Sequence, residues 1–121
     1  MLFNYGQMKR YLEKQILKDI STKMVVLTGP RQVGKTTLCR QLMDGFKASQ
    51  YLNWDVLPDR AILQRQSWNP RASILVIDEI HKMRGWKAWL KGVFDGRSPG
   101  QSLLVTGSAC METFRQGGDS W

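Results

Sequence analysis

Gly29-Pro30-Arg31-Gln32-Val33-Gly34-Lys35-Thr36 reads as G-x-x-x-x-G-K-T. It follows the apolar run Met24-Val25-Val26-Leu27 and opens a segment, Lys35 to Met43, that contains no Gly or Pro. Strand, glycine-rich turn and helix in that order are the context a phosphate-binding loop requires. The glycines let the backbone curl tightly. Successive N–H groups and the positive end of the following helix then converge on one concavity that suits a triphosphate. In such a cradle Lys35 reaches the β- and γ-phosphates, the Thr36 hydroxyl ligates Mg²⁺, and Thr37 approaches the α-phosphate.

A second landmark lies downstream. Ile74-Leu75-Val76-Ile77-Asp78-Glu79 is an unbroken apolar run that ends in two acids. A strand buried on both faces of a parallel sheet reads this way, and its acids emerge at the carboxyl end. Taken alone the pattern is weak, because many strands end in acids. Beside a phosphate loop it becomes specific: Asp78 holds Mg²⁺ through its water shell, and Glu79 polarises the water that attacks the γ-phosphate. A third apolar run, Ser102-Leu103-Leu104-Val105-Thr106-Gly107-Ser108, ends in small polar residues. Thr106 and Ser108 are the candidates for sensing the γ-phosphate; the plainer reading is that they only end a strand.

The remaining segments supply the scaffold. Tyr5, Met8, Leu12, Ile16 and Ile20 recur at steps of three and four, which predicts a helix over 5–20 with Arg10, Lys14 and Lys18 on its opposite face. Lys35 to Asp44 is the helix behind the phosphate loop, ended by Gly45. Gln50 to Trp54 is a short strand rich in β-formers. Asp55 follows it, placed either to cap the next helix or make a turn, the favoured reading, or to position water or metal. Pro58 opens a helix to about Gln66. Trp86, Trp89, Leu90 and Val93 share one helix face, a spacing that favours core over a nucleic-acid surface. His81 reads as a local hydrogen-bonding residue rather than a base, since Glu79 fills that role.

Composition sets the outer bounds. The chain has 121 residues, enough for one domain with a real core, with 42% hydrophobic and 23% charged residues. Eighteen Lys+Arg against 10 Asp+Glu give a net charge of +8, which favours polyanionic partners, nucleotide included, without naming one. No apolar run approaches the roughly 18 residues a bilayer span needs, and the N-terminus lacks a signal-peptide core, so the expected location is the cytoplasm with no membrane partner. Cys39 and Cys110 are too few for a metal site or a disulfide framework.

Four strand candidates alternate with helices, which predicts an α/β fold with right-handed crossovers and three layers. With the motifs Thr28 to Leu38, Ile77 to Lys82, Trp86, and Leu104 to Ala109 in this order, the chain resembles the nucleotide-binding core of prokaryotic AAA-superfamily ATPases. The resemblance implies a three-layer P-loop NTPase sandwich with a mainly parallel sheet of about four strands, in which the Thr106 strand is inserted between the phosphate-loop strand and the Asp78 strand. It also implies Mg²⁺-dependent ATP hydrolysis. A nucleotide-gated DNA- or protein-binding module with little turnover is the alternative, and a small-molecule kinase a more distant one. Longer members of the group carry a helical lid and a C-terminal domain, neither of which is recognisable before Trp121. The expectation is therefore a truncated core that binds nucleotide, turns over poorly alone and is prone to self-association through an exposed first strand.

Overall fold

Ile74, Leu75, Val76 and Ile77 are all completely buried. A strand with no exposed side chain on either face must lie inside a sheet covered on both sides, and that is where the computed structural model places it. The structure describes residues 14–20, 22–28 and 35–107, with Thr28, Lys35 and Thr36 described by their backbone alone. In chain order the elements are helix α1 (residues 14–19), strand β1 (Val25–Thr28), helix α2 (Lys35–Asp44), strand β2 (Ser49–Asn53), helix α3 (Leu57–Arg65), strand β3 (Ile74–Asp78), a single 3-10 turn (Ile80–Lys82), helix α4 (Trp86–Asp95) and strand β4 (Ser102–Gly107).

The four strands form one sheet in the order β1-β4-β3-β2, and every pairing is parallel. The strand carrying Thr106 thus lies between β1 and the strand carrying Asp78, as the resemblance implied. Paired residues in a parallel sheet share a face, so the register sorts the side chains. Val76, Leu104, Val25 and Tyr51 fall on one face, where Ile74, Leu27, Leu38, Cys39 and Leu42 also pack together with Ile16 and Ile20. The other face gathers Leu52, Leu75, Ile77, Leu103 and Val105 with Leu63, Leu90 and Val93. Helices α1 and α2 therefore cover one side of the sheet and α3 and α4 the other, giving three layers. Each fully buried Leu, Ile or Val contributes about 1.5–3 kcal/mol relative to exposure, so the two apolar layers dominate the stability.

The boundaries differ from the sequence expectation where local chemistry overrides pattern. Strand β3 stops at Asp78 rather than Glu79, because Glu79 has φ 63° and ψ 25°, the left-handed region, which no strand accommodates. Strand β2 runs one residue earlier than Gln50 to Trp54, since Trp54 already enters a turn. Strand β4 is described over Ser102–Gly107, and Ser108, the last residue of the expected run, lies outside the described residues. Of the helix expected over 5–20, residues 14–19 are helical with Ile16 and Ile20 buried, and Lys14 and Lys18 face solvent; Arg10 and the rest of that stretch lie outside the described residues. Trp86 and Trp89 pack against the α4 side of the core, with Trp89 edge-to-face on Trp68 at 6.0 Å, so the core reading of these tryptophans holds.

Candidate functional site

The last residues of β2 and β3 and the penultimate residues of β4 and β1 form one row on the α2 face. Asn53 of β2 is level with Asp78 of β3, Asp78 with Thr106 of β4, and Thr106 with Leu27 of β1. In a parallel sheet this row marks the carboxyl edge, where an open α/β sheet binds its ligands. Helix α2 connects β1 and β2, the two outer strands of this parallel sheet, and runs back antiparallel to them, so its first turn, Lys35 to Leu38, lies at the same carboxyl end.

Asp78 is the centre of the row. The Thr106 hydroxyl donates to its Oδ1 at 2.7 Å, and the Tyr51 hydroxyl donates to its Oδ2. Asn53 Nδ2 donates in turn to the Tyr51 oxygen at 3.4 Å. The backbone is fixed as well: Trp54 N–H donates to the Asp78 carbonyl and Glu79 N–H to the Thr106 carbonyl, both at 2.9 Å. The two hydroxyls come from strands on either side of β3, one to each carboxyl oxygen. Burial raises the Tyr51 phenol well above its ordinary value of 10.0, and the hydrogen bond to Asp78 and the Asp78 charge push in the same direction. Tyr51 therefore stays a neutral donor throughout the physiological range. Sequence reading singled out neither Tyr51 nor Asn53. Their period-2 spacing on β2 was visible, but only the pairing of β2 with β3 puts them beside Asp78.

Glu79 follows directly and is 5% exposed. Its left-handed backbone costs of order 1–2 kcal/mol for a residue with a side chain. Such an outlier persists only where its surroundings over-determine it, and these positions cluster at working sites. Its Oε2 lies 3.5 Å from both His81 Nε2 and Lys82 Nζ. Lys82 reaches across to Asp55 Oδ2 at 2.7 Å, and this hydrogen bond leads the effects that raise the Lys82 ammonium above its ordinary range. Asp55 lies in the turn before helix α3, one residue ahead of its N-cap Val56, so it makes the turn and does not occupy the cap position. Asp59 accepts the Asn53 N–H at 3.1 Å. His81 contacts Glu79 through Nε2, while its buried Nδ1 has no hydrogen-bond partner among the described residues.

Of the residues expected at the site, Asp78, Glu79 and Thr106 are brought together at one edge. Thr37 is exposed in the first turn of α2, and the backbones of Lys35 and Thr36 open that helix. Gly29, Pro30, Arg31, Gln32, Val33, Gly34 and Ser108 lie outside the described residues.

This arrangement of parallel strand order, acid row and helix start agrees with the comparison to known families. The family model described as "AAA domain" matches residues 21–121. The chain belongs to the AAA domain family. It is thus an AAA-type, P-loop NTPase-like domain, and membership in the family points to a nucleotide-binding, ATPase-like function. No curated protein matches the chain. No helix of this AAA domain is long and apolar enough to cross a membrane among the described residues.

Proposed function

We propose that this AAA domain binds ATP with Mg²⁺ and hydrolyses it. The observation that carries the reading is the Asp78 carboxyl, held by two hydroxyls at the carboxyl edge of the sheet, with Glu79 beside it. The donor set fits Mg²⁺. The hard oxygens of Asp78 and Thr36 suit an ion that is commonly held by one or two side-chain oxygens together with phosphates and its own waters. Bound there, Mg²⁺ would neutralise charge on the β- and γ-phosphates.

The chain's own residues take the remaining roles. Lys35 and the amides of 29–34 hold the phosphates, Thr36 and Asp78 hold the metal and its water shell, and Thr37 touches the α-phosphate. Glu79 accepts the proton of the attacking water. The proton of the Thr106 hydroxyl is committed to Asp78, so Thr106 acts through that carboxylate, and phosphate sensing falls to Ser108. A nucleotide-gated module that binds DNA or protein with little turnover is the second reading, carried by the net charge of +8.

Titration calorimetry with ATP, in Mg²⁺ and in EDTA, on the wild type and Lys35→Ala tests the proposal. Binding is expected in the wild type and lost in the variant, whose site keeps only neutral amides. Equal affinity in the two proteins would remove the phosphate-loop assignment. Steady-state phosphate release then separates an ATPase from a gated module.

A further inference from the structure

We propose that Tyr51 is a positioning residue for the metal-water site: its hydroxyl and that of Thr106 clamp the two oxygens of Asp78 and fix the plane of the carboxylate. This inference rests on the nucleotide-binding reading above.

The geometry assigns the role to the hydroxyl rather than the ring. Tyr51 stands two residues before Asn53 on the same face of β2, level with Val76, and reaches along the sheet to Asp78. A carboxylate at the end of a strand can rotate about two side-chain bonds, and one hydrogen bond leaves one of those rotations open. The Thr106 bond to Oδ1 and the Tyr51 bond to Oδ2 together close both, because they approach from neighbouring strands on opposite sides of β3. Each oxygen keeps lone-pair capacity for a metal-bound water. Asn53 completes the device. By donating to the phenol oxygen it occupies the lone pair on that side and aims the Tyr51 proton at Asp78. Tyr51 is set in this position by its ring, which packs against the buried cluster that contains Leu38, Cys39 and Leu42 of α2. The wall of the core and the support of the acid are therefore one side chain.

Partners that orient a metal-holding group typically account for 10–100-fold in metal affinity or activity. The test is Tyr51→Phe, which keeps the ring and removes the donor. The probe is a fluorescent ATP analogue, titrated with Mg²⁺ and separately in EDTA. The Mg²⁺ concentration for half-maximal binding is expected to rise about tenfold, with affinity in EDTA unchanged. Placed on Asp78→Asn, the same substitution should change nothing further, since it acts through that carboxylate. Asn53→Ala provides an independent variant with the tyrosine intact, expected to move the Mg²⁺ midpoint in the same direction by about threefold. An unmoved midpoint in both variants overturns the inference, as does an equal loss in Mg²⁺ and EDTA, which would mean that the hydroxyl supports nucleotide binding without acting through the metal. If Asp78→Asn itself keeps the wild-type Mg²⁺ dependence, the underlying metal reading fails and the clamp with it. Loss in Asp78→Asn with none in Tyr51→Phe overturns the clamp alone.

Discussion

Thr106 donates its hydroxyl to Asp78 Oδ1 at 2.7 Å while its carbonyl accepts the amide of Glu79 at 2.9 Å. One residue thus holds both acids, the first by its side chain and the second by its backbone. The pairing is possible because β4 lies directly beside β3, with Thr106 level with Asp78.

Thr106→Val preserves the branched shape and removes the hydroxyl. Thr106 is 2% exposed, so no water replaces the donor easily. Hydrogen bonds to charged groups contribute about 1.5–3 kcal/mol, and a loss of that size is expected in urea unfolding. Mg²⁺-dependent nucleotide binding should weaken in parallel. If stability and Mg²⁺ dependence both stay at the wild-type level, Thr106 does not support Asp78.

Glu79→Gln should retain nucleotide affinity and lose hydrolysis by about 10²–10⁴-fold, the usual contribution of a positioned base. The amide keeps the shape of the side chain but takes no proton from water. Single-turnover phosphate release in wild type and variant makes the comparison. A variant as fast as the wild type would move the search for the base to His81, whose Nε2 already lies 3.5 Å from Glu79.

The Lys82–Asp55 pair predicts a small alkaline effect. The folded state raises the lysine above its unfolded value, chiefly through the Asp55 hydrogen bond. A raised cation stabilises the fold fully below its unfolded pKa, and the contribution is lost as pH rises through the folded value. Both side chains are more than a third exposed, at 38% and 36%, so the contribution is only about 0.2–1 kcal/mol. Unfolding free energies of wild type and Lys82→Met should differ by that amount near neutral pH and converge as the pH rises through the raised lysine value, or in high salt. A difference that persisted at both extremes would point to packing by the lysine stem instead of charge.

Gln66 closes helix α3 in the left-handed region, with φ 52° and ψ 38°, and its side chain is exposed. Glycine occupies that region without a steric penalty, so Gln66→Gly is expected to raise stability by about 0.5–1 kcal/mol. Thermal unfolding with unchanged nucleotide affinity is the check. A fall in midpoint would mean that the flexibility added to the unfolded chain outweighs the relief.

The chain order alone determined the elements and much of the chemistry. The loop Gly29 to Thr36, the apolar run into Asp78 and Glu79, and the run into Thr106 are each legible in consecutive residues, and the loop lends the other two their specific meaning. Alternation of strands and helices likewise required parallel strands and three layers. Tertiary structure decided what no local pattern encodes. The left-handed turn at Glu79 takes that residue out of β3, although the sequence continues without a break. Asp55 pairs with Lys82, 27 residues away, rather than capping its own helix. Tyr51 and Asn53 look like ordinary strand residues until β2 docks against β3, and only that register brings a phenol to the Asp78 carboxylate. Side-chain partnership across strands is fixed by pairing and register, which arise from packing the whole sheet between its helices, whereas periodicity and turn chemistry are properties of a few consecutive residues.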